Sequence, residues 1–284
     1  MIDLHVHSNC SDGTLSPSEL VHLAVQTGLS AFALTDHDTM AGVTCAKQEA
    51  ALLPASTPLT VIAGTEISSA YKSKDIHILG LFVNEKSEAL QQALSEALAA
   101  RDRRNEEMVH RFEKENIFFT LDDLRVQNPN TVITRAHFAK YLAENHYVKS
   151  REEAFARYLN HDAPCFVPRT YMEPERAVTL IREAGGIPVL AHPLLYKLEK
   201  EELCALIERL CAVGLQGLET YYSSYTVCEQ NIVAGLANRY RLVKTGGTDF
   251  HGANKPGLFL GTGRNNNLNI PDSVLEDLKA LLSQ

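Results

Sequence analysis

The sequence predicts an α/β fold in which seven short strands alternate with helices and a helical insertion follows the fourth strand. Short apolar runs alternate with helical patterns, which is typical of β/α architectures. The stretch between the fourth and fifth runs is several times longer than one crossover connection. We therefore expect a β/α barrel that carries an inserted domain. The seven candidate strands are residues 2–6, 31–35, 60–66, 75–83, 187–191, 215–219 and 242–246.

The first helix has clear end signals. Ser16 and Glu19 form a capping-box pattern, Pro17 suits the first helical position, and Gly28 stands where the helix should stop. This pattern predicts a helix directly after the loop that follows the first strand.

The insertion is predicted at residues 95–168, which leaves 1–94 and 169–284 for the barrel. Apolar side chains recur at helical spacing over 87–116, a pattern interrupted only by the polar stretch 101–107, so we expect one long helix there. Shorter helical patterns follow at about 134–145 and 150–160.

Composition excludes several classes of protein. With 45% hydrophobic and 22% charged residues, the 284-residue chain is not disordered. No apolar stretch approaches the roughly 20 residues of a membrane span, and the amino terminus lacks a signal-peptide pattern, so we expect a cytoplasmic protein without membrane contact. A net charge of −8 argues against nonspecific binding to duplex DNA. Six scattered cysteines without a C-x-x-C pair indicate reduced thiols. The sequence shows no evident site for a protein partner.

Histidines and carboxylates collect where the predicted strands end. His5 and His7 are two residues apart on the first strand, so their side chains point to the same side. Loops at the carboxyl ends of barrel strands converge on one rim, which predicts a polynuclear metal site there. Imidazole and carboxylate without thiolate favour Mn²⁺, Fe²⁺ or Zn²⁺. The candidate ligands are His5, His7, Asp12, His37, Glu66, His77, His192, Asp249 and His251.

The alternative is that these histidines are structural. A lone histidine beside an apolar strand is usually a hydrogen-bonded core residue. Six of the eleven histidines are in this set, however, and burying so many ionisable groups without a metal would be costly. We assign no function to His22, His110, His146 and His161, which lie within helical patterns away from the strand ends. Asp36 is expected to support a ligand, whereas Asp38 and Glu219 could each orient a ligand or cap a turn.

The motifs D-L-H-V-H, S-D-G, T-D-H-D, G-T-E, A-H-P and G-T-D-F-H, in this order, resemble those of the PHP (polymerase and histidinol phosphatase) superfamily over essentially the whole chain. The R-x-H and V-P-R motifs of the insertion resemble a subgroup of small phosphoesterases that includes 3′,5′-nucleoside bisphosphate phosphatases. Relatives in that subgroup are described as 5′ to 3′ exoribonucleases. The resemblance implies a distorted (β/α)₇ barrel that hydrolyses phosphate esters, foremost 3′,5′-nucleoside bisphosphates, by means of a metal-bridging hydroxide. It also implies that the inserted domain covers the rim of the barrel that carries the active site.

The resemblance also implies three divalent ions, with Mn²⁺ favoured and Fe²⁺, Zn²⁺ or Mg²⁺ as alternatives. The first ion would bind His5, His7, Glu66 and Asp249, the second Glu66, His77 and His192, and the third Asp12, His37 and His251. The residues with predicted catalytic roles are Asp12, His37, His192 and Asp249. The residues predicted to bind substrate are Arg135, His137, Arg169 and Tyr222, of which Tyr222 could instead pack at the rim.

The sequence departs from the subgroup outside the expected metal ligands. Ala136 stands where relatives often carry Pro, and Ser223 and Tyr225 stand where many have Pro and His.

The expected partner is a small phosphorylated substrate, either a nucleotide or an RNA 5′ end. Alternatives are an exoribonuclease for short RNA, a histidinol phosphatase, an amidohydrolase-type deacylase and a noncatalytic nucleotide-binding module. The insertion argues against the histidinol phosphatase. No lysine stands at the end of a candidate strand, which argues against the deacylase. The intact set of expected ligands argues against the noncatalytic module.

Overall fold

The computed structural model of the protein describes residues 1–72, 74–125, 131–168 and 171–283. Within these residues, no helix combines the length and apolar character needed to cross a membrane. Short 3₁₀ turns occur at Asp122–Leu124, Pro193–Tyr196 and Gly252–Asn254. The elements in chain order are β1 (Ile2–Val6), α1 (Pro17–Gln26), β2 (Ala31–Leu34), α2 (Val43–Ala51), β3 (Thr60–Tyr71), β4 (Lys74–Leu81), α3 (Glu88–Lys114), α4 (Arg135–Glu144), α5 (Arg151–Ala154), α6 (Pro174–Glu183), β5 (Ile187–Leu190), α7 (Lys200–Ala212), β6 (Gly217–Tyr222), α8 (Val227–Tyr240), β7 (Val243–Gly247) and α9 (Ser273–Leu282).

The seven strands form one sheet in the order of the chain, and the sheet curls until β1 meets β7. The backbone N–H of His7 donates to Phe250 O at 2.9 Å, and the N–H of Asp249 donates to His5 O at 2.9 Å. The predicted α/β fold and seven-stranded distorted barrel are thus confirmed. The distortion lies at β4, which runs antiparallel to both β3 and β5.

The strand bounds differ from the sequence prediction at β3 and β6. β3 extends to Tyr71 and forms a hairpin with β4, so Glu66 lies within the strand and not at its end. β6 begins at Gly217 and continues to Tyr222, beyond the predicted end at residue 219. β3 and β6 continue beyond their predicted ends because they pair with neighbouring strands. Local strand propensity does not reveal such pairing.

A shift in β1 decides which side chains enter the barrel. Ile2 and Leu4 belong to the apolar cluster that α9 covers at the lower end of the barrel, whereas Val6 packs in the outer core beneath the helices. Between Asp3 and Val6 the register of β1 against β2 shifts. This irregularity changes the face of the strand, so that His5 and His7 point inward above the apolar cluster.

The helix α3 connects the barrel with the inserted region. Leu90 and Leu94 pack in the outer core of the barrel, and Met108 and Phe112 pack in a separate cluster formed with residues as far along the chain as Cys165. The predicted domain boundary between residues 94 and 95 therefore lies inside one continuous helix, and the division into domains remains a prediction.

The long helix predicted over residues 87–116 is present as α3, Glu88–Lys114. Arg101, Arg104 and Asn105 are buried, and the helix is continuous through them. Arg101 forms an ion pair with Asp38, while Asn105 Nδ2 donates to Ile133 O at 3.1 Å. The polar side chains do not break the helix, because they find partners on the barrel and in the insertion.

Candidate metal centre

One carboxylate, that of Glu66 on β3, lies at the centre of the histidine cluster. Its side chain is only 1% exposed. Burial opposes its ionisation, but the neighbouring imidazoles, first His77 and His37, hold the pKa of Glu66 well below its usual range. The nitrogens within 2.8–3.2 Å of its oxygens are His77 Nδ1 and His192 Nε2 near Oε1, and His5 Nε2, His7 Nε2 and His37 Nδ1 near Oε2.

The donor set fits divalent metal ions. His251 Nδ1 lies 2.9 Å from the carbonyl oxygen of Asp249, which can only accept, so Nδ1 carries the proton. In the neutral ring, Nε2 then faces Asp12 Oδ1 at 3.1 Å with a lone pair, and this buried oxygen has no hydrogen-bond partner. Two acceptors at this distance are satisfied by a cation between them.

His5 lies between a buried carboxylate and His7. Its Nδ1 lies 2.9 Å from Oε1 of the fully buried Glu219, and its Nε2 lies 3.1 Å from His7 Nε2. Burial opposes protonation of His5, but the carboxylates, first Glu219 and Glu66, raise its pKa well above its usual range, so a cation at Nε2 would replace a proton. Asp249 Oδ1 lies 3.6 Å from His5 Nε2 and 3.4 Å from His7 Nε2. Together with Glu66 Oε2, these atoms match the predicted ligand set of the first ion.

The other predicted ligands also converge. His77 Nδ1 and His192 Nε2 share Glu66 Oε1, and His37 Nε2 lies 3.8 Å from Asp12 Oδ2. All nine candidate ligands occur in one or more groups whose donor atoms lie within 4.8 Å of one another. These groups are His5–His7–Asp249, His5–Glu66–His192, His37–Glu66–His77 and His7–Asp12–His37–His251.

The direction of β4 explains why His77 reaches the centre. His77 lies near the start of β4, which in a parallel strand would place it at the lower end of the barrel. Because β4 is antiparallel to β3, His77 pairs with Ser68, two residues beyond Glu66. The reversed strand therefore brings His77 to the same rim as the ligands that follow parallel strands.

Burial keeps two of the imidazoles neutral. It lowers the pKa of His7 to about 3 and that of His37 to about 4. Asp249 remains ionised for a different reason: burial opposes ionisation, but Lys255 and His5 hold its pKa well below its usual range. At neutral pH these groups are in the states that bind cations.

Carboxylates and a phenol outside the nine candidates hold the ligands in place. Besides contacting His5, Glu219 accepts from the backbone N–H of His192 at 2.7 Å, so it contacts two of the candidate ligands. Asp36 accepts from Ser8 and Ser11, which ties down the loop before Asp12. Asp38 accepts from the backbone N–H of Ser68 at 2.8 Å and pairs with Arg101.

Tyr222 lies beside the centre with its ring buried. Its hydroxyl donates to Asp249 Oδ2 at 2.6 Å, and its ring packs against His192 and Tyr225. Only 4% of Tyr222 is exposed, so neither ring face is open to a base. This placement favours a role in orienting Asp249 over the predicted contact with substrate, and matches the alternative of packing at the rim.

The predicted substrate-binding residues of the insertion line two cavities. Arg135 faces a cavity of about 190 Å³ that also includes Asp12, His37 and His77. His137 faces a cavity of about 610 Å³ on the other side of α4, and its Nδ1 accepts the Thr134 N–H at 3.1 Å. Arg169 lies outside the described residues.

Sequence reasoning missed three cations near the centre. Lys255 Nζ lies 2.5 Å from Asp249 Oδ2, and Arg101 and Arg104 line the smaller cavity. Lys255 stands in a loop without a recognisable pattern. The two arginines belong to the stretch that interrupted the apolar pattern of α3, and that interruption was the available signal.

Comparisons with known proteins agree with this geometry. The PHP domain model matches residues 3–177. A 5′-3′ exoribonuclease from Haemophilus influenzae is 34% identical over 273 residues, which are 96% of each protein. A 3′,5′-nucleoside bisphosphate phosphatase from Chromobacterium violaceum is 32% identical over 262 residues, covering 92% of this chain and 90% of the relative. The structure of an amidohydrolase from Chromobacterium violaceum, with bound sulfate and no metal, matches with a TM-score of 0.86 and 30% identity, covering 98% of this chain and 96% of that one. The chain therefore belongs to the PHP family.

Proposed function

We propose that the protein is a metal-dependent phosphoesterase that hydrolyses nucleotide phosphomonoesters, foremost 3′,5′-nucleoside bisphosphates. The observation that carries this proposal is the position of Glu66, whose two oxygens face two different sets of imidazoles. A carboxylate in this position suits adjacent cations, which phosphoester hydrolysis uses. The relative named as a bisphosphate phosphatase supports the substrate class.

The nine candidate ligands would hold three divalent ions, with Mn²⁺ favoured. When bound, the ions supply Lewis acidity and lower the pKa of water toward about 7. Glu66 holds the first and second ligand sets together, and His7 joins the first and third sets because its two nitrogens face different carboxylates. Glu219 keeps the His5 ring in the tautomer that presents Nε2, and Tyr222 with Lys255 fixes Asp249.

The rest of the site would bind and enclose the substrate. Asp12, His37 and His77 open into the smaller cavity together with Arg135, whose guanidinium presents paired donors to a phosphate. The inserted region would enclose the substrate, since Thr134, Arg135 and Phe155 contribute to the wall of this cavity. No serine or cysteine nucleophile is required, because the attacking group is water.

A second candidate is a 5′ to 3′ exoribonuclease, favoured by the relative of that name. Both activities require a metal centre beside a site for a further phosphate. They differ in whether the bond that breaks is a terminal monoester or an internal diester.

Phosphate release and product analysis separate the candidates. With Mn²⁺ added, we expect rapid release of phosphate from adenosine 3′,5′-bisphosphate, with AMP as the product, and much slower release from AMP and histidinol phosphate. A 5′-phosphorylated oligoribonucleotide should be the poorer substrate. Rapid shortening of that oligonucleotide to mononucleotides with little activity on the bisphosphate would establish the second candidate. Inactivity toward all four compounds would refute both.

A further inference from the structure

The smaller cavity beside the metal centre is lined by three arginines. It lies between α3, α4 and the β3–β4 hairpin, and its wall includes Arg101, Arg104 and Arg135. Arg101 and Arg104 are each only 6% exposed. Guanidinium groups bind phosphate oxygens through paired hydrogen bonds, so a wall of this composition suits an anion.

Arg101 is already paired with the carboxylate of Asp38, which is too deeply buried to be displaced by a ligand. Asp38 is fully buried, and Arg101 also donates to Ser68 Oγ at 3.0 Å. Withdrawing Asp38 would leave two buried charges without compensation, which is strongly unfavourable. Arg101 therefore belongs to the framework of the cavity.

The other two arginines lie in the same wall as a different carboxylate. Arg135 Nη2 lies 2.5 Å from Asp75 Oδ2, and Arg104 lines the same cavity as Asp75. In contrast to Asp38, the Asp75 side chain is 40% exposed and lies at the start of β4, next to the hairpin turn. Water can solvate this carboxylate when it turns away from the arginines, which exchanges its hydrogen bond with the Tyr171 side chain for hydrogen bonds to water.

A phosphate monoester is a stronger anion than the Asp75 carboxylate. Asp75 carries one negative charge, whereas a phosphate monoester carries a charge of about −1.5 to −2 at neutral pH and three acceptor oxygens. A terminal phosphate therefore matches Arg104 and Arg135 better than Asp75 does. An internal phosphodiester carries a single negative charge and gains less by replacing the carboxylate.

We propose that Asp75 is a specificity-determining residue whose carboxylate occupies, in the free protein, the subsite where Arg104 and Arg135 bind the nonreacting terminal phosphate of the substrate. Binding requires that this phosphate displaces Asp75. The inference rests on the proposed function, since it assumes a substrate with a second phosphate. It applies equally to a nucleoside bisphosphate and to the 5′-phosphate of an RNA.

The test is Asp75→Asn, which removes the charge and keeps the shape. We expect the KM for adenosine 3′,5′-bisphosphate to fall about three- to tenfold, with kcat changing less than twofold. The specificity readout is the ratio of KM for p-nitrophenyl phosphate, which has no second phosphate, to KM for the bisphosphate. This ratio should rise several-fold. The inhibition constant of the product AMP, which keeps the 5′-phosphate, should fall in parallel.

The matched control is Glu202→Gln. Glu202 pairs with Lys72 at the same hairpin, at 2.8 Å, but does not line the cavity, so its substitution changes the net charge equally without emptying the subsite. Its KM ratio should stay at the wild-type value. An equal rise in both variants would show that overall charge, and not the subsite, controls binding.

A second substitution tests the arginine. Arg104→Lys retains the charge and loses the paired donors, so KM for the bisphosphate should rise at least fivefold while the melting temperature stays within a few degrees. The proposal is overturned if Asp75→Asn raises KM for the bisphosphate, which would mean that Asp75 only positions Arg135, or if Arg104→Lys leaves KM unchanged. Inactivity of the wild-type protein toward all phosphate esters would instead refute the proposed function.

Discussion

At the scale of single residues, hydrogen bonds around the metal centre determine which nitrogen atoms are available to a cation. The Asp249 carbonyl oxygen fixes the proton on His251 Nδ1, and the buried Glu219 carboxylate binds His5 Nδ1. Glu219 lies on β6, far in sequence from His5, whereas Asp249 lies only two residues before His251. Such contacts raise the basicity of the ligand and fix the ring, so they contribute to metal affinity without touching the metal.

Tyr222→Phe should lower activity and metal affinity about 10- to 100-fold, the range typical of partners that orient metal ligands. The substitution removes the O–H donor to Asp249 and keeps the ring that packs against His192. The measurements are kcat at saturating Mn²⁺ and the Mn²⁺ concentration for half-maximal activity. Tyr221→Phe is the matched control, because Tyr221 packs in the lower apolar cluster. Equal activity of both variants would contradict the assigned contact.

At the scale of secondary structure, α3 is held to the barrel by a buried ion pair. Arg101 in the middle of the helix reaches Asp38, which follows β2 directly after His37. Asp38 adopts a φ of 54°, a left-handed conformation that is uncommon for a residue other than glycine. The pair therefore connects the inserted helix to a strained segment next to a candidate ligand.

Arg101→Met should lower the free energy of unfolding by about 3–5 kcal/mol, since it leaves the Asp38 carboxylate buried without its counter-ion. The measurement is urea denaturation followed by circular dichroism. The control is Arg103→Met on the same helix, where the arginine is exposed and the expected change is below about 0.5 kcal/mol. Adding Asp38→Asn to Arg101→Met should recover part of the loss. A destabilisation equal to that of Arg103→Met would show that the pair contributes nothing.

At the scale of the whole molecule, the centre joins elements that are distant in sequence. The nine candidate ligands come from β1, β3, β4 and from the segments after β1, β2, β5 and β7. The lower end of the barrel is filled by apolar side chains and covered by α9, whereas the upper end is filled by ionisable groups. Cations at the upper end would therefore stabilise the closed barrel as well as the reaction.

Removing metal with EDTA should abolish activity and lower the melting temperature by about 5 °C or more. A ligand at 100 times its dissociation constant stabilises the folded state by about 2.7 kcal/mol, and each kcal/mol corresponds to roughly 2–4 °C in a protein of this size class. The measurements are differential scanning calorimetry and phosphate release before and after readdition of Mn²⁺. In His192→Ala the shift caused by EDTA should be smaller. An unchanged melting temperature in the wild-type protein would contradict a structural contribution of the metal.

The motifs of the candidate metal ligands were readable from sequence because they combine local spacing with strand periodicity. His5 and His7, separated by one residue, predict two rings on the same side, and their Nε2 atoms lie 3.1 Å apart. The capping box of α1 is equally local and is present in the structure, with Pro17 as the first helical residue. Each of these features depends on residues within a few positions of one another.

The sequence by itself determined the α/β class, the seven strands, the family and the set of ionisable side chains that meet at one rim. Only the tertiary structure decided that β4 runs backwards and brings His77 to that rim, and that a register shift in β1 turns His5 inward. It also decided that Arg101 and Arg104 join the site and that the Tyr222 hydroxyl binds Asp249. The reason is physical: strand direction, register and the partner of a buried polar group depend on elements far away in the chain, whereas periodicity and capping depend on neighbours.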